Sequence, residues 1–239
     1  LWEEANEAFT AVASDSNVYE DALIHQGYNL HKMKRTVEAV ALLEQHRERL
    51  SSRPEIFDYL SYLYNDLDRR QDALDTIAAG LQKYPEDNSL MFRRIVLLEQ
   101  SGDNDAADAA ARQLLQINPD HANALNYLAY SYAVRNINLD EALQMAKQAL
   151  AVRDEYHVRD TLGWVYYRLG RFDEALVELQ LAVEGNPEDP VVLEHLGDIY
   201  QALGLNEEAL LAFRKALAVS EKDREKLVDK IQALEGESN

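Results

Sequence analysis

The chain has 239 residues, of which 47% are apolar and 28% charged, and it contains no cysteine. Composition of this kind excludes a disordered or collagen-like chain, and the missing thiols exclude disulfides and thiolate metal sites. The formal net charge of −19 repels phosphate backbones and anionic lipid head groups, so we predict no nucleic-acid partner and no membrane-surface role.

The predicted elements are α-helices from the first residue to the last, because glycine (9) and proline (5) are scarce while alanine, leucine and glutamate abound. No apolar run reaches the length of a membrane-spanning helix. Residues 1–18 read as the second helix of a truncated repeat, with Trp2, Ala5, Phe9 and Val12 on one face. This orphan helix predicts that the chain is a fragment of a longer protein.

Further along the chain the helices repeat. An alanine recurs at gaps of 34, 34, 34, 35, 33 and 34 residues, at Ala5, Ala39, Ala73, Ala107, Ala142, Ala175 and Ala209. A small residue stands twelve or thirteen positions before it, at Gly27, Ser61, Ala129, Gly163 and Gly197, and Ile95 interrupts this column. Two helices approach closely only where the facing side chains are small, so these columns predict antiparallel helix pairs.

The columns carry a family resemblance. A 34-residue period with the pattern Leu-Gly-x-x-Tyr followed by Ala, Phe and Pro resembles the tetratricopeptide repeat, most clearly in residues 161–166 and 195–200. The resemblance implies an all-α fold, a right-handed superhelical solenoid of antiparallel helix pairs. A single repeat cannot bury both of its faces, so stability is expected from contacts between neighbouring repeats.

We predict one solenoid over residues 1–239. It comprises the truncated repeat at 1–18, six repeats at 20–53, 54–87, 88–121, 122–155, 156–189 and 190–221, and a capping helix at 222–236. An extra residue in the turn of the fourth repeat, around Asn136, Ile137 and Asn138, is expected to be neutral because loop closure depends weakly on length.

The position after the small-residue column points away from the helix crossing. Along the chain it holds Tyr28, Tyr62, Val96, Tyr130, Trp164 and Asp198. The resemblance implies that this face lines the concave groove in which tetratricopeptide proteins bind peptides or helices. The candidate partner-binding residues are Tyr28, Tyr62, Arg93, Asn126, Tyr130, Trp164, Tyr167 and Arg168.

An alternative interpretation is that these aromatic rings pack, half buried, against the next repeat. For Tyr28 and Tyr62 both interpretations stay open. For Tyr130 and Trp164 the neighbouring polar and aromatic residues favour binding, since such mixtures are typical of interface hot spots.

Tetratricopeptide domains of cochaperones hold a terminal carboxylate with Lys and Asn at early first-helix positions, and this chain departs from that pattern. The corresponding positions hold Ile24, Asp58, Phe92, Asn126, Asp160 and Glu194, with no lysine. A chaperone-tail receptor is therefore not expected.

Residues 123–130 and 163–170 also resemble the C-terminal part of bacterial envelope tetratricopeptide lipoproteins that act as adaptors. This looser resemblance implies a periplasmic or envelope-associated protein, with a cytoplasmic location left open. The cysteine that carries a lipid anchor in such proteins is absent from this sequence.

The sequence contains no recognisable motif of a metal-binding, phosphate-binding or catalytic site. No two histidines stand four residues apart and no glycine-rich loop follows a strand, so we predict no metal site, no cofactor and no catalytic residue. His195 stands beside a core leucine in a first helix and is expected to be a surface histidine, with a residue of the groove as the alternative.

The predicted function is a scaffold or adaptor that binds a protein or peptide. Two alternatives stay open: the substrate-selecting arm of an enzyme whose catalytic domain lies outside this sequence, and a purely architectural array that associates with itself through an exposed N-terminal repeat.

Overall fold

The computed structural model describes residues 2–222 and 224–237. Within those residues it contains fifteen α-helices and no strand. Consecutive helices pack as antiparallel pairs, which confirms the predicted all-α helix-pair array. Contacts divide the chain into unit 1, Leu1–Ile117, and unit 2, Asn118–Asn239.

Unit 1 comprises eight helices among the residues that the structure describes. They are α1 (Trp2–Thr10), α2 (Tyr19–Lys32), α3 (Thr36–Gln45), α4 (Arg47–Leu50), α5 (Pro54–Asp66), α6 (Arg70–Lys83), α7 (Asn88–Gln100) and α8 (Asn104–Ile117). The helix predicted for 1–18 ends at Thr10, because Ser14, Asp15, Ser16 and Asn17 favour turns over helix.

Unit 2 comprises seven helices within 118–222 and 224–237. They are α9 (Ala122–Arg135), α10 (Leu139–Val152), α11 (Tyr156–Arg168), α12 (Phe172–Gly185), α13 (Pro190–Ala202), α14 (Asn206–Val219) and α15 (Arg224–Glu237). In the turn between α9 and α10, Asn136 and Asn138 both adopt left-handed backbone angles, with φ of 55° and 47°. Asparagine tolerates this conformation better than most residues, which explains its presence in the lengthened turn.

Five first helices begin on the first residue of a predicted repeat, at Pro54, Asn88, Ala122, Tyr156 and Pro190. Two of these starts have a proline in the first turn, where its missing N–H costs nothing. At Asp87 and Asp189 the side chain accepts hydrogen bonds from the first turn of the helix that follows.

Glycines mark where the two helices of a pair cross. A Cβ added at Gly163 would lie 1.9 Å from Cδ2 of Leu179, and one added at Gly197 would lie 2.4 Å from Cε1 of Phe213. Each large side chain of the second helix therefore occupies the space that the glycine of the first helix leaves open.

The third repeat reverses this size pairing. Ile95 replaces the small residue of the column, and the position that holds Leu179 or Phe213 elsewhere holds Ala111. Both Ile95 and Ala111 are 0% exposed. The summed volume is conserved, so the interruption in the column is a compensated exchange.

Helix α15 closes the described part of unit 2 at its C-terminal end. Leu227, Ile231 and Leu234 are buried in a cluster that includes Leu193 and Phe213. The rest of α15 is rich in charged residues, so one face packs and the other is solvated. None of the helices in 2–222 and 224–237 combines the length and apolar content needed to span a bilayer.

Candidate functional site

In unit 1 the predicted face carries two exposed tyrosines. Tyr28 is 41% exposed and Tyr62 is 40% exposed. The ring of Tyr28 meets Trp2 edge-on at 5.9 Å between centroids, and Lys32 Nζ lies 5.2 Å from the Tyr28 centroid. These rings therefore remain accessible although each has neighbours.

A hydrogen-bonded chain fixes Tyr62. Its hydroxyl lies 3.3 Å from Nε2 of His31, whose Nδ1 lies 3.1 Å from the hydroxyl of Thr36. Thr36 in turn donates to Asp66 at 3.2 Å. The Tyr62 ring also stacks on Tyr59 at 6.3 Å. The exposed ring is thus presented in one orientation, which lowers the entropy lost on binding.

Arg93, also predicted to bind a partner, is held by a carboxylate of the preceding repeat. Its Nε and Nη2 donate to the two carboxylate oxygens of Asp58 at 2.7 and 3.3 Å. The planar guanidinium matches the carboxylate in two bonds, which is a strong geometry. The Arg93 guanidinium is therefore largely neutralised by Asp58 within the chain.

The aromatic cluster of unit 2 consists of Tyr130, Trp164, Tyr167 and His195. The Trp164 ring stacks on Tyr167 at 4.7 Å and on His195 at 4.1 Å, with an interplanar angle of 16° in both cases. Tyr130 approaches His195 at 6.3 Å with a tilt of 45°. Three helices, α9, α11 and α13, thus bring rings from three successive repeats together.

His195 is the buried member of this cluster, so the prediction of a surface histidine is wrong. The residue is 7% exposed, and its Nδ1 lies 2.8 Å from Oδ1 of Asp160, a residue that is also 7% exposed. A buried carboxylate requires such a partner, and the imidazole supplies it. The two residues stand 35 positions apart, one repeat plus one residue, and this spacing could have revealed the pair.

Two polar atoms next to the cluster have no hydrogen-bond partner within the described chain. They are Oδ1 of Asn126, one turn before Tyr130 on α9, and Nε1 of Trp164. Both atoms are buried, although both residues are only partly buried. An unsatisfied buried polar atom costs about 1–3 kcal/mol, so each atom favours any ligand that completes its hydrogen bond.

The two remaining predicted residues border the cluster. Burial raises the pKa of the Tyr167 hydroxyl, and the charge of Asp198 raises it further. Tyr167 is therefore a neutral hydrogen-bonding group at physiological pH. Arg168 donates to Oδ1 of Asn136 at 3.4 Å in the lengthened α9–α10 turn, which ties that turn to the edge of the cluster.

Lysines of α15 cover the same face of α13. Lys230 Nζ lies 2.7 Å from Glu194 and 2.6 Å from Asp198, and Lys226 Nζ lies 2.7 Å from Glu194. Burial raises the pKa of Glu194, but the hydrogen bonds from the two lysines outweigh it and leave the pKa lowered. The acidic positions of the sixth repeat are therefore neutralised by the capping helix.

These contacts form a recurring inter-repeat polar pair. An acid at the early first-helix position meets a nitrogen-bearing side chain 35 or 36 residues later, in the salt bridges Asp58–Arg93 and Glu194–Lys230 and in the hydrogen bond Asp160–His195. Three of the six early positions therefore contact the neighbouring helix through an acid. Asn126 has no basic counterpart there, and its Oδ1 keeps an unused acceptor.

Comparison with known proteins supports the repeat assignment. Models described as TPR repeat and tetratricopeptide repeat match residues 93–157, 163–204 and 192–223. A TPR repeat-containing protein of Pseudomonas aeruginosa is 31% identical over 196 residues, which are 79% of this chain. The chain spans about a third of that relative's length, since the match covers 32% of it.

Solved structures share the fold. A tetratricopeptide repeat protein from Parabacteroides merdae superposes with a TM-score of 0.71 at 18% identity, over 98% of this chain and 92% of the other. The type IV pilus biogenesis factor PilW gives 0.68 at 23% identity, over 77% and 86%. The APC/C hetero-tetramer Cut9–Hcn1 gives 0.75 at 14% identity, over 100% and 47%.

These likenesses agree with the 34-residue period, the paired helices and the glycine crossings of both units. Neighbours below 25% identity share the fold alone, whereas the repeat models match the residues of this chain directly. The chain therefore belongs to the tetratricopeptide-repeat family.

Proposed function

We propose that the chain binds a partner protein through the aromatic cluster of unit 2, with Tyr130 and Trp164 as the anchoring residues. Tetratricopeptide arrays are scaffolds for protein–protein interaction, and the cluster is the part of this chain best suited to that role. Large rings that are already stacked supply contact area at little entropic cost.

The observation that carries the proposal is the pair of unsatisfied polar atoms beside the rings. An extended segment of a partner offers a backbone C=O and a backbone N–H at every non-proline residue. On binding, we expect Trp164 Nε1 to donate to such a carbonyl and Asn126 Oδ1 to accept from such an amide, which requires both side chains to turn toward the partner. Both atoms then recover the hydrogen bond that they lack in the free chain.

The surrounding charges support a largely neutral contact. Asp160 is paired with His195, and Glu194 and Asp198 are paired with lysines of α15. Because these carboxylates are satisfied within the chain, the cluster presents rings and single polar atoms to a partner. The same proposal assigns Tyr28 and Tyr62 of unit 1 to partner contact, and their exposure of 41% and 40% is consistent with it.

Affinity capture from an extract of the source cells, followed by mass spectrometry, tests the proposal. We expect the Tyr130→Ala, Trp164→Ala double variant to lose a partner that the wild type retains, while its circular dichroism is unchanged. Leu211→Ala is the matched control, since Leu211 is a large apolar residue that is 57% exposed and lies outside the cluster. Equal capture by wild type and double variant contradicts the proposal.

A second variant distinguishes the contribution of the Trp164 ring from that of its N–H group. Trp164→Phe keeps an aromatic ring over His195 and removes the donor, so affinity for the captured partner should fall about tenfold, the value of one hydrogen bond. Trp164→Ala should cost more than that. If Trp164→Phe binds as tightly as the wild type, the indole N–H plays no part.

A further inference from the structure

Arg94 on α7 is an exposed cation without an acidic partner. The neighbouring Arg93 is bound by Asp58, but Arg94 has no ion pair or hydrogen bond among the residues that the structure describes. Other arginines of unit 1 that form ion pairs include Arg35, Arg47, Arg49, Arg53, Arg69 and Arg70. In a chain with 43 acidic and 24 basic residues, Arg94 differs in this respect from most arginines of unit 1.

The surface around Arg94 is mostly apolar, with Asp75, Gln82 and Gln113 as its polar members. On one side lies a groove of about 470 Å³, whose apolar lining includes Leu74, Ala78 and Leu98. On the other side lies a hollow of about 140 Å³, whose lining includes Pro85 and Met91. We call the two together the Arg94 surface, and Leu81 lines both parts.

The apolar walls belong to a rigid part of unit 1. Leu74 and Leu81 of α6 pack partly against the core, and Met91 of α7 is 5% exposed. Their remaining accessible surface is therefore held in place by packing and does not depend on loops. Apolar side chains that are already ordered can contact a bound segment at little further entropic cost.

We propose that the Arg94 surface binds a segment of a partner protein in which a glutamate or aspartate stands between aliphatic side chains. The aliphatic side chains fit the groove and the hollow, and the carboxylate meets the free guanidinium between them. Arginine binds carboxylates through two parallel hydrogen bonds, and both remain available on Arg94.

Charge also determines how such a segment lies. Asp75, on the α6 wall of the groove, accepts from Gln71 at 2.8 Å and carries a negative charge. A bound carboxylate is therefore directed toward α7 and away from α6. A polyanion such as nucleic acid does not suit the surface, because one guanidinium stands in a chain of net charge −19.

This inference is independent of the aromatic cluster, and the test keeps the two apart. A random 12-residue peptide library displayed on phage is selected on the full chain, after depletion on the Arg94→Gln variant. The selected peptides are synthesised and their affinities measured for wild type, Arg94→Gln, Arg70→Gln and Trp164→Ala. Arg70 is the matched control, since it is an exposed arginine whose charge is satisfied by Asp68.

We expect the selected peptides to share an acidic residue flanked by aliphatic ones. Their affinity should fall about tenfold or more with Arg94→Gln and remain unchanged with Arg70→Gln and Trp164→Ala. Ala78→Glu, at an exposed groove position, should weaken them as well by placing a like charge in the groove. Thermal melts of each variant show whether the fold is retained.

Three results would overturn the inference. The first is a selection that yields no peptides, or peptides without an acidic residue. The second is a set of peptides weakened by Trp164→Ala and indifferent to Arg94→Gln, which would support the aromatic cluster alone. The third is a concentration-dependent dimer that Arg94→Gln dissolves, since it would assign the surface to a second copy of the chain.

Discussion

At Ala175 the two helices of the fifth repeat come into close contact. The residue is 0% exposed, and a Cβ added at the facing Gly163 would lie 3.2 Å from the Ala175 carbonyl oxygen. Ala175→Leu should therefore overpack the crossing and lower the free energy of unfolding by about 1–3 kcal/mol in urea denaturation. Val177→Leu on the same helix is the control, because Val177 is 55% exposed. Equal stabilities would place the crossing elsewhere.

His121 caps α9 in a way that depends on pH. Its Nδ1 accepts from the backbone N–H of Ala124 at 3.2 Å, which requires the neutral imidazole. Burial lowers the pKa of His121, and the charge of Arg153 lowers it further. Because the folded pKa lies below the unfolded value of about 6.5, the unfolded chain binds more protons between the two, so this stability is present above pH 6.5 and is lost as pH falls from there through the folded pKa.

The variant His121→Asn isolates this effect, since asparagine is a good helix cap that does not titrate. Its melting temperature should match the wild type near pH 8 and exceed it near pH 5.5, by an amount equivalent to about 1 kcal/mol. Thermal melts at both pH values measure the difference. A constant offset between the two proteins would show that protonation of His121 does not matter.

Sequence periodicity predicted single residues well where their role lies inside one repeat. The alanine column is 0% exposed from Ala39 to Ala209. It failed where the role depends on a neighbouring repeat: the periodicity of the apolar residues did not assign the polar His195 to the interior, yet it is buried against Asp160. The contact can be predicted only by comparing residues one repeat plus one position apart, and the apolar pattern of a single helix does not include that comparison.

At the scale of an element, we predict that the attachment of α15 to α13 depends on Lys230. Lys230 bridges Glu194 and Asp198, whose side chains are 14% and 15% exposed. Lys230→Met keeps the apolar stem near Phe213 and removes the charge, leaving two carboxylates side by side. We expect the amides of α15 to exchange faster with deuterium and stability to fall by about 1–2 kcal/mol, less than for a fully buried pair.

Lys226→Met serves as the comparison for this prediction. Lys226 contacts the same Glu194 but its side chain is 63% exposed, so its loss should cost less than about 0.5 kcal/mol. Similar exchange rates in the two variants would mean that apolar packing of Leu227, Ile231 and Leu234 holds α15 without help from Lys230.

Helix positions followed from the sequence because the apolar period and the prolines at Pro54 and Pro190 are local signals. The early end of α1 at Thr10 did not follow from the period. A helical register shows which face is apolar, while the run of serine, aspartate and asparagine after Ala13 decides where the helix stops. The candidate site was predicted in part: the four rings of the aromatic cluster include three predicted residues, and His195 is the one that was missed.

For the whole molecule, each unit should fold by itself. Stability in repeat arrays comes from contacts between neighbours, and unit 2 retains three successive repeats and the capping helix α15. Residues 118–239 expressed alone should therefore show the helicity of the intact chain per residue and a cooperative thermal transition. Residues 1–117 provide the parallel measurement. A disordered 118–239 fragment would mean that folding requires the full array, as the prediction of a single solenoid implies.

The inter-repeat ion pairs have a consequence for how such a chain changes during evolution. A duplicated or deleted repeat carries both sides of its own helix crossing with it, such as Gly163 with Leu179 or Ile95 with Ala111, so that crossing is unaffected. The acid that faces the next helix loses or gains a neighbour, and Asp58 or Asp160 is then left beside a residue that cannot pair with it. The order of the repeats is therefore constrained by the polar contacts between them, while the helix crossing inside each repeat does not depend on that order.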